Sequence, residues 1–516
     1  MTMTSRWVMR LVGTSFLLML SSFSTAFAQI PSAAVERFEP PADPRWKSIA
    51  VGDLNAAYQL LHDNHPGAAD ELHDSAFVRD LVDAHTRALA RAQTVSSYQG
   101  YLAVLAGFAT EMGDKHIWSR PAFVVNLPRW PQMLVSKRGD AWVVTDTEPS
   151  QSRLLGASLV SCDGVEVEPL ARKNLGGFRA IWSIGAQQVQ SAPWLFVDEG
   201  NPFITRPNLC IFDQKDQRTT VRLEWVQIKR ENLLPRLKQA AGAGAASFGV
   251  RKVGEGYWIA LQDLMSDRAF AVVKSVEQQK SVLRDARFVV LDMRGNRGGS
   301  SDLGRQIAAS LLGKDAVNAR LVPLNTTDCG SSEVFRATTG NLEQLEYLQA
   351  QPLAQAAPDV KKMVEDQISK VRAALAHGQA FSGRTDCRTT AKPPVSGQSP
   401  SLLRGRLILL TDNACFSACL AVTDDFRTLG ALHVGQTTDA ATWYVDVREA
   451  YLPSGYSMFS TLQAVSGDTK SVGPFEPALK YSGDIADTAA LERWISETVV
   501  GLPRSTQAAH AADPVR

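Results

Sequence analysis

The sequence predicts an α/β protein in which a helical region and a β-rich region precede the α/β part. In the second half of the chain, short apolar runs such as 288–291 and 407–410 alternate with stretches of helical period such as 269–283 and 302–312. This alternation is typical of a mostly parallel, buried sheet with helices on its faces.

Residues 53–112 and 123–228 differ from that pattern and from each other. The first segment has apolar residues at helical spacing, interrupted by His65-Pro66-Gly67 and by the polar run 93–97. The second segment contains short apolar runs separated by turn signals, of which Asp163-Gly164 favours a hairpin. We therefore expect a small helical bundle followed by a β-rich domain.

The first residues have the pattern of an export signal. Arg6 and Arg10 form a basic start, residues 11–20 an apolar run, and Ala26-Phe27-Ala28 a cleavage site with small residues. The apolar run is too short for a permanent membrane span, and no later run reaches that length. We expect a periplasmic or secreted protein, cleaved near Ala28, with no stable membrane span.

These patterns divide the chain into consecutive segments. The expected boundaries are a signal peptide at 1–28, a helical region at 29–122, a β-rich domain at 123–235, an α/β core at 250–503 with a helical insertion at about 318–403, and a disordered tail at 504–516.

The charge balance excludes some classes of partner. Lys and Arg number 54 and Asp and Glu 53, which gives a net charge of +1. Such a balance gives no reason to expect nucleic acid or an acidic membrane surface as a partner. The oligomeric state stays open.

Six cysteines in an exported chain can be oxidised. Separation and context favour the pairs Cys162–Cys210 and Cys329–Cys387. Cys415 and Cys419 are one helical turn apart, a spacing that seldom meets disulfide geometry, so we expect them to be buried or free thiols. No His-rich or paired Cys/His spacing predicts a structural zinc site, and we expect neither a metal nor a cofactor.

Ser417 lies where a buried strand gives way to a helix. The apolar run 407–410 ends at the polar turn Thr411-Asp412-Asn413, and a helical pattern begins at about Ser417. α/β proteins present reactive side chains at such a turn, and a serine there lies among backbone N–H groups that favour negative charge on a nearby atom. The alternative is a serine that only caps the helix.

The segment Asp292-Met-Arg-Gly-Asn-Arg-Gly-Gly299 also lies between a strand and a helix. Its spacing matches neither a dinucleotide fingerprint nor a P-loop. The glycine pair Gly298 and Gly299 lets the backbone approach a ligand and offer N–H groups to a developing oxyanion. A plain strand-to-helix connection is the alternative.

His116 and Glu476 are the candidate partners of Ser417. A serine hydroxyl needs a base, and His116, in the turn Gly113-Asp-Lys-His116, is one of only 8 histidines. Glu476 lies in a loop with several Gly and Pro residues, where a carboxylate could orient a catalytic group. The alternatives are a structural or surface histidine and a solvated loop residue.

Taken in order, these motifs resemble the C-terminal processing (tail-specific) and tricorn-core serine peptidases. The N-terminal part from Asp53-Leu-Asn-Ala-Ala-Tyr to Gly113-Asp-Lys-His116 is similar to that family's helical segment, and Leu155 to Gly164 resembles part of a PDZ-like domain. The resemblance covers most of residues 53–480 and implies a ClpP/crotonase-like catalytic core. The motifs in the core are Tyr257-Trp-Ile-Ala-Leu, Asp292 to Gly299, Ser417-Ala-Cys, Gly435-Gln-Thr-Thr438 and Leu452-Pro-Ser-Gly455.

The resemblance also implies roles for individual residues. Ser417 corresponds to the nucleophile, with its own N–H or that of Ala418, and Gly298 or Gly299, as oxyanion donors. Tail-specific members use a Lys further along the chain, whereas Ala441-Thr442-Trp443 stands there in this sequence. The resemblance is therefore closer to the tricorn-like branch, whose base His matches His116 and whose supporting Glu has its nearest candidate in Glu476.

Three functions follow as hypotheses. The first is an exported serine peptidase that cleaves peptide bonds with Ser417 and His116 and binds the substrate as an added strand in the PDZ-like domain. The second is an inactive family member that binds a peptide or an envelope protein. Three features favour it: the family Lys is missing, Glu476 stands several residues away from the position of the family Glu, and Lys115 lies beside His116. The third is a non-peptide hydrolase on the same core, such as an esterase.

Overall fold

A computed structural model describes residues 43–123, 127–242, 248–325, 333–351, 358–385, 400–466 and 472–502. The predicted signal peptide, the Cys329–Cys387 pair and the predicted tail lie outside these ranges. The chain forms two compact units. The N-terminal unit contains the described residues of 43–242 and 446–462, and the C-terminal unit those of 248–445 and 463–502.

The helices and strands are numbered here in chain order. The α-helices are α1 Arg45–Asn64, α2 Ser75–Ala92, α3 Tyr98–Glu111, α4 Val167–Leu175, α5 Gly185–Ser191, α6 Arg230–Ala240, α7 Asp267–Asp285, α8 Asp302–Leu312, α9 Lys314–Asn325, α10 Thr339–Ala350, α11 Pro358–Ala376, α12 Ala418–Thr428 and α13 Thr488–Trp494. The strands are β1 Ser119–Pro121, β2 Arg129–Trp130, β3 Met133–Arg138, β4 Ala141–Thr147, β5 Ser158–Cys162, β6 Val165–Glu166, β7 Leu209–Gln214, β8 Gln217–Arg222, β9 Val226–Gln227, β10 Gly249–Val253, β11 Gly256–Ala260, β12 Phe288–Asp292, β13 Val334–Phe335, β14 Arg406–Thr411, β15 Leu432–Gly435, β16 Tyr444–Tyr451, β17 Ser457–Val465 and β18 Leu479–Lys480.

The N-terminal unit begins with the predicted helices, α1 to α3. Side-chain caps start two of them, since Asp74 accepts the Phe77 N–H at 2.9 Å and Ser97 accepts the Gly100 N–H at 3.1 Å. Their apolar faces are buried, and Asp53 in α1 accepts a hydrogen bond from the Tyr101 hydroxyl at 2.6 Å. Helices α1 to α3 span residues 45 to 111, within the segment 29–122 for which the sequence predicts a helical region.

An antiparallel sheet follows in the same unit, with strand order β3-β4-β5-β7-β8 and with β6 paired to β5. The predicted hairpin at Asp163-Gly164 joins β5 to β6, and both residues have positive φ, 49° and 80°. The predicted disulfide Cys162–Cys210 is confirmed and links β5 to β7. Helices α4 and α5 were not predicted from the sequence, because their short amphipathic runs stand among strand-like patterns.

The C-terminal unit contains the mostly parallel sheet that the sequence predicted. Its order is β10-β11-β12-β14-β15-β18, and every pairing from β11 onward is parallel. Residues that alternate along β12 and β14 pack on opposite faces: Val289 and Leu407 in a cluster with α7, α8 and α12, and Val290 and Ile408 in a cluster with α13. Burial on both faces explains why residues 288–291 and 407–410 of these strands are all apolar.

The parallel pairing of β12 with β14 places the two motifs at one edge of this sheet. Asp292, the last residue of β12, is paired with Leu410, one residue before the end of β14. The carboxyl ends of parallel strands lie together, so the loop that contains Gly298 and the loop that contains Ser417 start side by side. This edge of the sheet therefore positions the candidate site.

The predicted helical insertion contains α10 and α11. Leu345 from α10 packs with Val364, Ile368 and Val371 from α11. Thr338 caps α10 by accepting the Asn341 N–H at 3.1 Å. Across the described ranges, none of the helices combines the length and apolar character that a membrane crossing needs.

Candidate active site

Ser417 has a backbone conformation that serine rarely adopts. Its φ is 58° and its ψ is −130°, and its side chain accepts no capping hydrogen bond from α12. The interpretation of Ser417 as a plain N-cap is therefore wrong. Such backbone strain costs about 1–3 kcal/mol and persists only where surrounding contacts impose it, most often at functional sites.

The loop after β12 is bonded directly to the loop that carries Ser417. Asp412 accepts the Gly295 N–H at 2.9 Å and the Ala414 N–H at 3.0 Å. The Phe416 N–H donates to the Asn296 carbonyl at 3.2 Å. Burial raises the pKa of Asp412 to about 6, although its two backbone hydrogen bonds act in the opposite direction. Asp412 thus joins the loop after β12 to the loop that carries the candidate nucleophile.

A buried ion pair fixes the start of the glycine loop. The Arg294 guanidinium donates to Asp292 at 2.7 Å and to the Ile485 carbonyl at 2.6 Å, and both charged side chains are almost completely buried. The Trp258 indole N–H donates to Asp292 at 2.9 Å. Because a buried pair is stable only when its remaining donors and acceptors are satisfied, these bonds hold the loop in one conformation.

The predicted oxyanion donors differ in whether their N–H groups are engaged. Gly298 donates to the Asn296 side chain at 2.9 Å, so its N–H is already used. Within the described part of the chain, the N–H groups of Gly299 and Ala418 have no hydrogen-bond partner. Ala418 is the first residue of α12, where the helix dipole adds to its attraction for negative charge. Gly299 and Ala418 are therefore the better candidates for donors.

Gly298 lies so close to Ser417 that only glycine fits. A Cβ at position 298 would lie 2.7 Å from the Ser417 Cβ and 2.9 Å from the Ala418 nitrogen. The φ of Gly298 is also positive, at 101°. We expect Gly298→Ala to lower the kcat for a peptide or ester substrate by at least about 100-fold, because small displacements of reacting groups have effects of that size.

Gly430→Ala is the matched control for Gly298→Ala. Gly430 has a similar φ of 91°, but a Cβ there would meet nothing within 4 Å. It therefore reproduces the backbone strain without the contact to Ser417. Steady-state assays compare the two variants at equal melting temperature. If the Gly298→Ala protein is as active as the Gly430→Ala protein, the contact between Gly298 and Ser417 is not needed for activity.

Cys415 and Cys419 form a disulfide, so the prediction of buried or free thiols is wrong in its pairing. Both residues are fully buried, as predicted. The prediction assumed that the two thiols lie on one helix. However, α12 begins only at Ala418, and the non-helical turn at Ser417 brings the two side chains together.

In the N-terminal unit, His116 is oriented by a buried carboxylate. Asp114 accepts both the His116 backbone N–H at 2.8 Å and a hydrogen bond with Nδ1 at 2.9 Å. The Asp114 side chain is only 2% exposed, against 13% for that of His116. A carboxylate on Nδ1 keeps the proton there, which makes Nε2 the basic nitrogen. This is the arrangement that a general base requires.

The backbone of the same turn is bonded to β17. The Ser460 hydroxyl donates to the His116 carbonyl at 2.8 Å and accepts the Trp118 N–H at 2.8 Å. Lys115, the neighbour of His116, donates to the Gln190 side chain at 3.1 Å. These bonds fix the turn on both sides of the imidazole.

Two other titratable residues have environments that do not suit a catalytic partner. The Glu476 side chain is 69% exposed and pairs with Lys480 at 3.0 Å. The carboxylate that contacts His116 is instead Asp114. His433 is buried in β15 beside the Thr411 hydroxyl, at 2.8 Å, and burial lowers its pKa to about 3, so it stays neutral and enclosed.

No protein-family model matches the chain, and neither does any curated protein. Among solved structures, the chain is similar to mature CPAF, with a TM-score of 0.56, 15% identity, and coverage of 90% of this chain and 99% of that one. It is similar to mature CPAF complexed with lactacystin, with a TM-score of 0.55, 15% identity, and coverage of 88% and 99%. A third similar structure is the photosystem II D1 C-terminal processing protease, with a TM-score of 0.35, 12% identity, and coverage of 88% and 99%.

At 15% identity, the two CPAF likenesses show a shared fold and nothing about activity. The TM-score of 0.35 carries no argument of its own. The tricorn protease is also among the similar solved structures, with a TM-score of 0.33 that likewise carries no argument. The chain is a mixed helix-and-sheet protein with the fold of mature CPAF.

Several residues of the site were not identified from the sequence. Asp114 could have been, because an Asp two residues before a candidate base His, in a turn, is well placed to bond its Nδ1. Asp412 and Ser460 carry no such signal, because their roles depend on contacts with residues far away in the sequence.

Proposed function

We propose that this chain is an exported serine peptidase in which Ser417 is the nucleophile and His116 the general base. The observation that supports it most is the strained backbone conformation of Ser417. This serine precedes α12 without capping the helix through its side chain, and it packs against Gly298. A serine that only caps a helix or lies on the surface does not require a strained backbone conformation.

In the proposed reaction, the Ser417 Oγ attacks the peptide carbonyl carbon while Nε2 of His116 takes the hydroxyl proton. Asp114, bonded to Nδ1, stabilises the imidazolium that forms. His116 then gives the proton to the leaving amine, and an acyl-enzyme remains on Ser417. A water molecule, deprotonated by the same nitrogen, releases the acid and restores the serine.

The oxyanion of the tetrahedral intermediate needs donors that are already in place. The N–H groups of Ala418 and Gly299 are assigned this role, because within the described residues they are not otherwise engaged. Gly298 contributes close packing against Ser417, since its own N–H is bonded to Asn296. Asp114 takes the orienting role that the family resemblance implied for Glu476.

Two further parts of the proposal concern substrate binding and location. The sheet of the N-terminal unit has β8 at one end of its strand order, with five of its six residues exposed, and an extended peptide can add to such an edge in the manner of a PDZ-like domain. The Cys162–Cys210 disulfide fits the oxidising compartment that the predicted signal peptide implies. The proposed location is the periplasm or the exterior.

A fluorophosphonate probe tests the catalytic proposal directly. The probe phosphonylates an activated serine, so the purified protein is expected to carry one adduct, located on Ser417 by peptide mass mapping. His116→Ala is expected to abolish labelling, and His85→Ala, which changes another histidine of the same unit, is expected to leave it intact.

The other hypotheses predict different results in the same experiment. A protein that only binds peptides would carry no adduct and would release no products from casein-like chains, and that outcome would refute the peptidase. Labelling together with turnover of simple esters, but not of peptides, would instead identify a hydrolase of a different substrate class.

A further inference from the structure

The Cys415–Cys419 disulfide encloses the proposed nucleophile. Its half-cystines stand two residues before and two residues after Ser417, and both are completely buried. The chain is also held at this point by the Asp439 N–H, which donates to the Cys415 carbonyl at 3.0 Å, and by the Cys419 N–H, which donates to the Phe416 carbonyl at 3.2 Å. The disulfide therefore adds a covalent constraint to the hydrogen bonds that hold the turn around the strained serine.

The disulfide is incompatible with a regular helix over residues 415–419. Side chains four residues apart on a helix have Cβ atoms about 5–6 Å apart, whereas a disulfide requires about 3.5–4.5 Å. With the bond in place, α12 cannot extend backward through Ser417. Its first residue is Ala418, and Ser417 keeps its positive φ of 58°.

Without the disulfide, a regular helical conformation becomes accessible to the turn. Ser417 can adopt the ordinary helical φ, so that α12 gains a turn and the strain at Ser417 is relieved. The Ser417 side chain would then move away from Gly298, where an added Cβ would now lie 2.7 Å from the Ser417 Cβ.

We propose that the Cys415–Cys419 disulfide is a positioning element for Ser417, so that the active geometry exists only in the oxidised protein. The inference rests on the proposed function. Reduction by a dithiol delivers two electrons and two protons, breaks the S–S bond and leaves two thiols, while the dithiol becomes a cyclic disulfide. The chain is thus inactive where thiols are kept reduced and active after export to an oxidising compartment.

The test compares the oxidised protein with a Cys415→Ala/Cys419→Ala variant and with protein reduced by dithiothreitol, with reduction verified by alkylation and mass mapping. We expect the kcat to fall by about 100-fold in both, with the melting transition still cooperative. Reoxidation should restore the wild-type protein and not the variant. The matched control, Cys162→Ala/Cys210→Ala, removes the disulfide that joins β5 to β7 and should retain its kcat.

Hydrogen exchange provides a readout that does not require activity. The amides of Cys419 and Leu420 donate to the Phe416 and Ser417 carbonyls, at 3.2 Å and 2.8 Å, and both bonds belong to the present turn. Their exchange should change on reduction, whereas that of β12 should not. Unchanged exchange, or unchanged kcat in the reduced protein and the variant, would overturn the inference. Oxidised protein that neither hydrolyses nor labels would refute the proposed function instead, and exchange would still decide the role of the disulfide.

Discussion

Ser417→Ala is expected to abolish hydrolysis, with kcat reduced by about 10⁶-fold, the size of effect measured when the nucleophile of a serine peptidase is removed. The substitution removes the atom that forms the acyl-enzyme. It leaves the backbone bonds of the turn, such as that from Leu420 to the Ser417 carbonyl at 2.8 Å, available as before. Steady-state kinetics and probe labelling measure the loss.

Ser281→Ala is the control for this substitution. Ser281 is exposed on α7 in the same unit, so its change tests the effect of replacing a serine as such. It is expected to match the wild type in kcat and melting temperature. Hydrolysis by the Ser417→Ala protein at the wild-type rate would remove Ser417 from the mechanism.

Asp114→Asn is expected to lower kcat by about 10⁴-fold while the fold is retained. The carboxylate of Asp114 holds the proton on Nδ1 of His116, at 2.9 Å. An amide can instead donate to Nδ1, which favours the proton on Nε2 and removes the basic nitrogen from the reaction. The loss should appear in kcat more than in KM, because orientation of the base matters in the transition state.

Asp163→Asn is the control for Asp114→Asn. Asp163, in the same unit, accepts backbone N–H groups as Asp114 does, from Asn208 at 2.9 Å and Leu209 at 2.8 Å, but it contacts no candidate catalytic group among the described residues. The Asp163→Asn substitution is expected to change the stability of the protein but not its kcat. If Asp114→Asn keeps a kcat within about tenfold of the wild type, His116 is not held by Asp114 for catalysis.

Local pattern was enough to predict the secondary structure of the core. The strands at 288–291 and 407–410 were found because burial on both faces makes them continuous apolar runs, and the helix 302–312 because its apolar residues recur at helical spacing. The pair Cys162–Cys210 was also predicted. Helices α4 and α5 were missed because short amphipathic segments resemble strands when taken alone.

The candidate site was predicted in its residue types but not in its contacts. Ser417, the glycine pair and His116 stand in recognisable local patterns. The bond from Gly295 to Asp412, by contrast, joins residues far apart in the sequence, and no local pattern encodes it. The same holds for Ser460, which bonds to the carbonyl of His116.

The sequence by itself determined that a buried strand, a polar turn and a helix place a serine at a sheet edge, because periodicity and turn chemistry are local properties. Only the tertiary structure decided the conformation of that serine. Its positive φ and its close packing against Gly298 depend on contacts between loops that meet because β12 and β14 are parallel neighbours. Strain of this kind exists only where several such contacts act together.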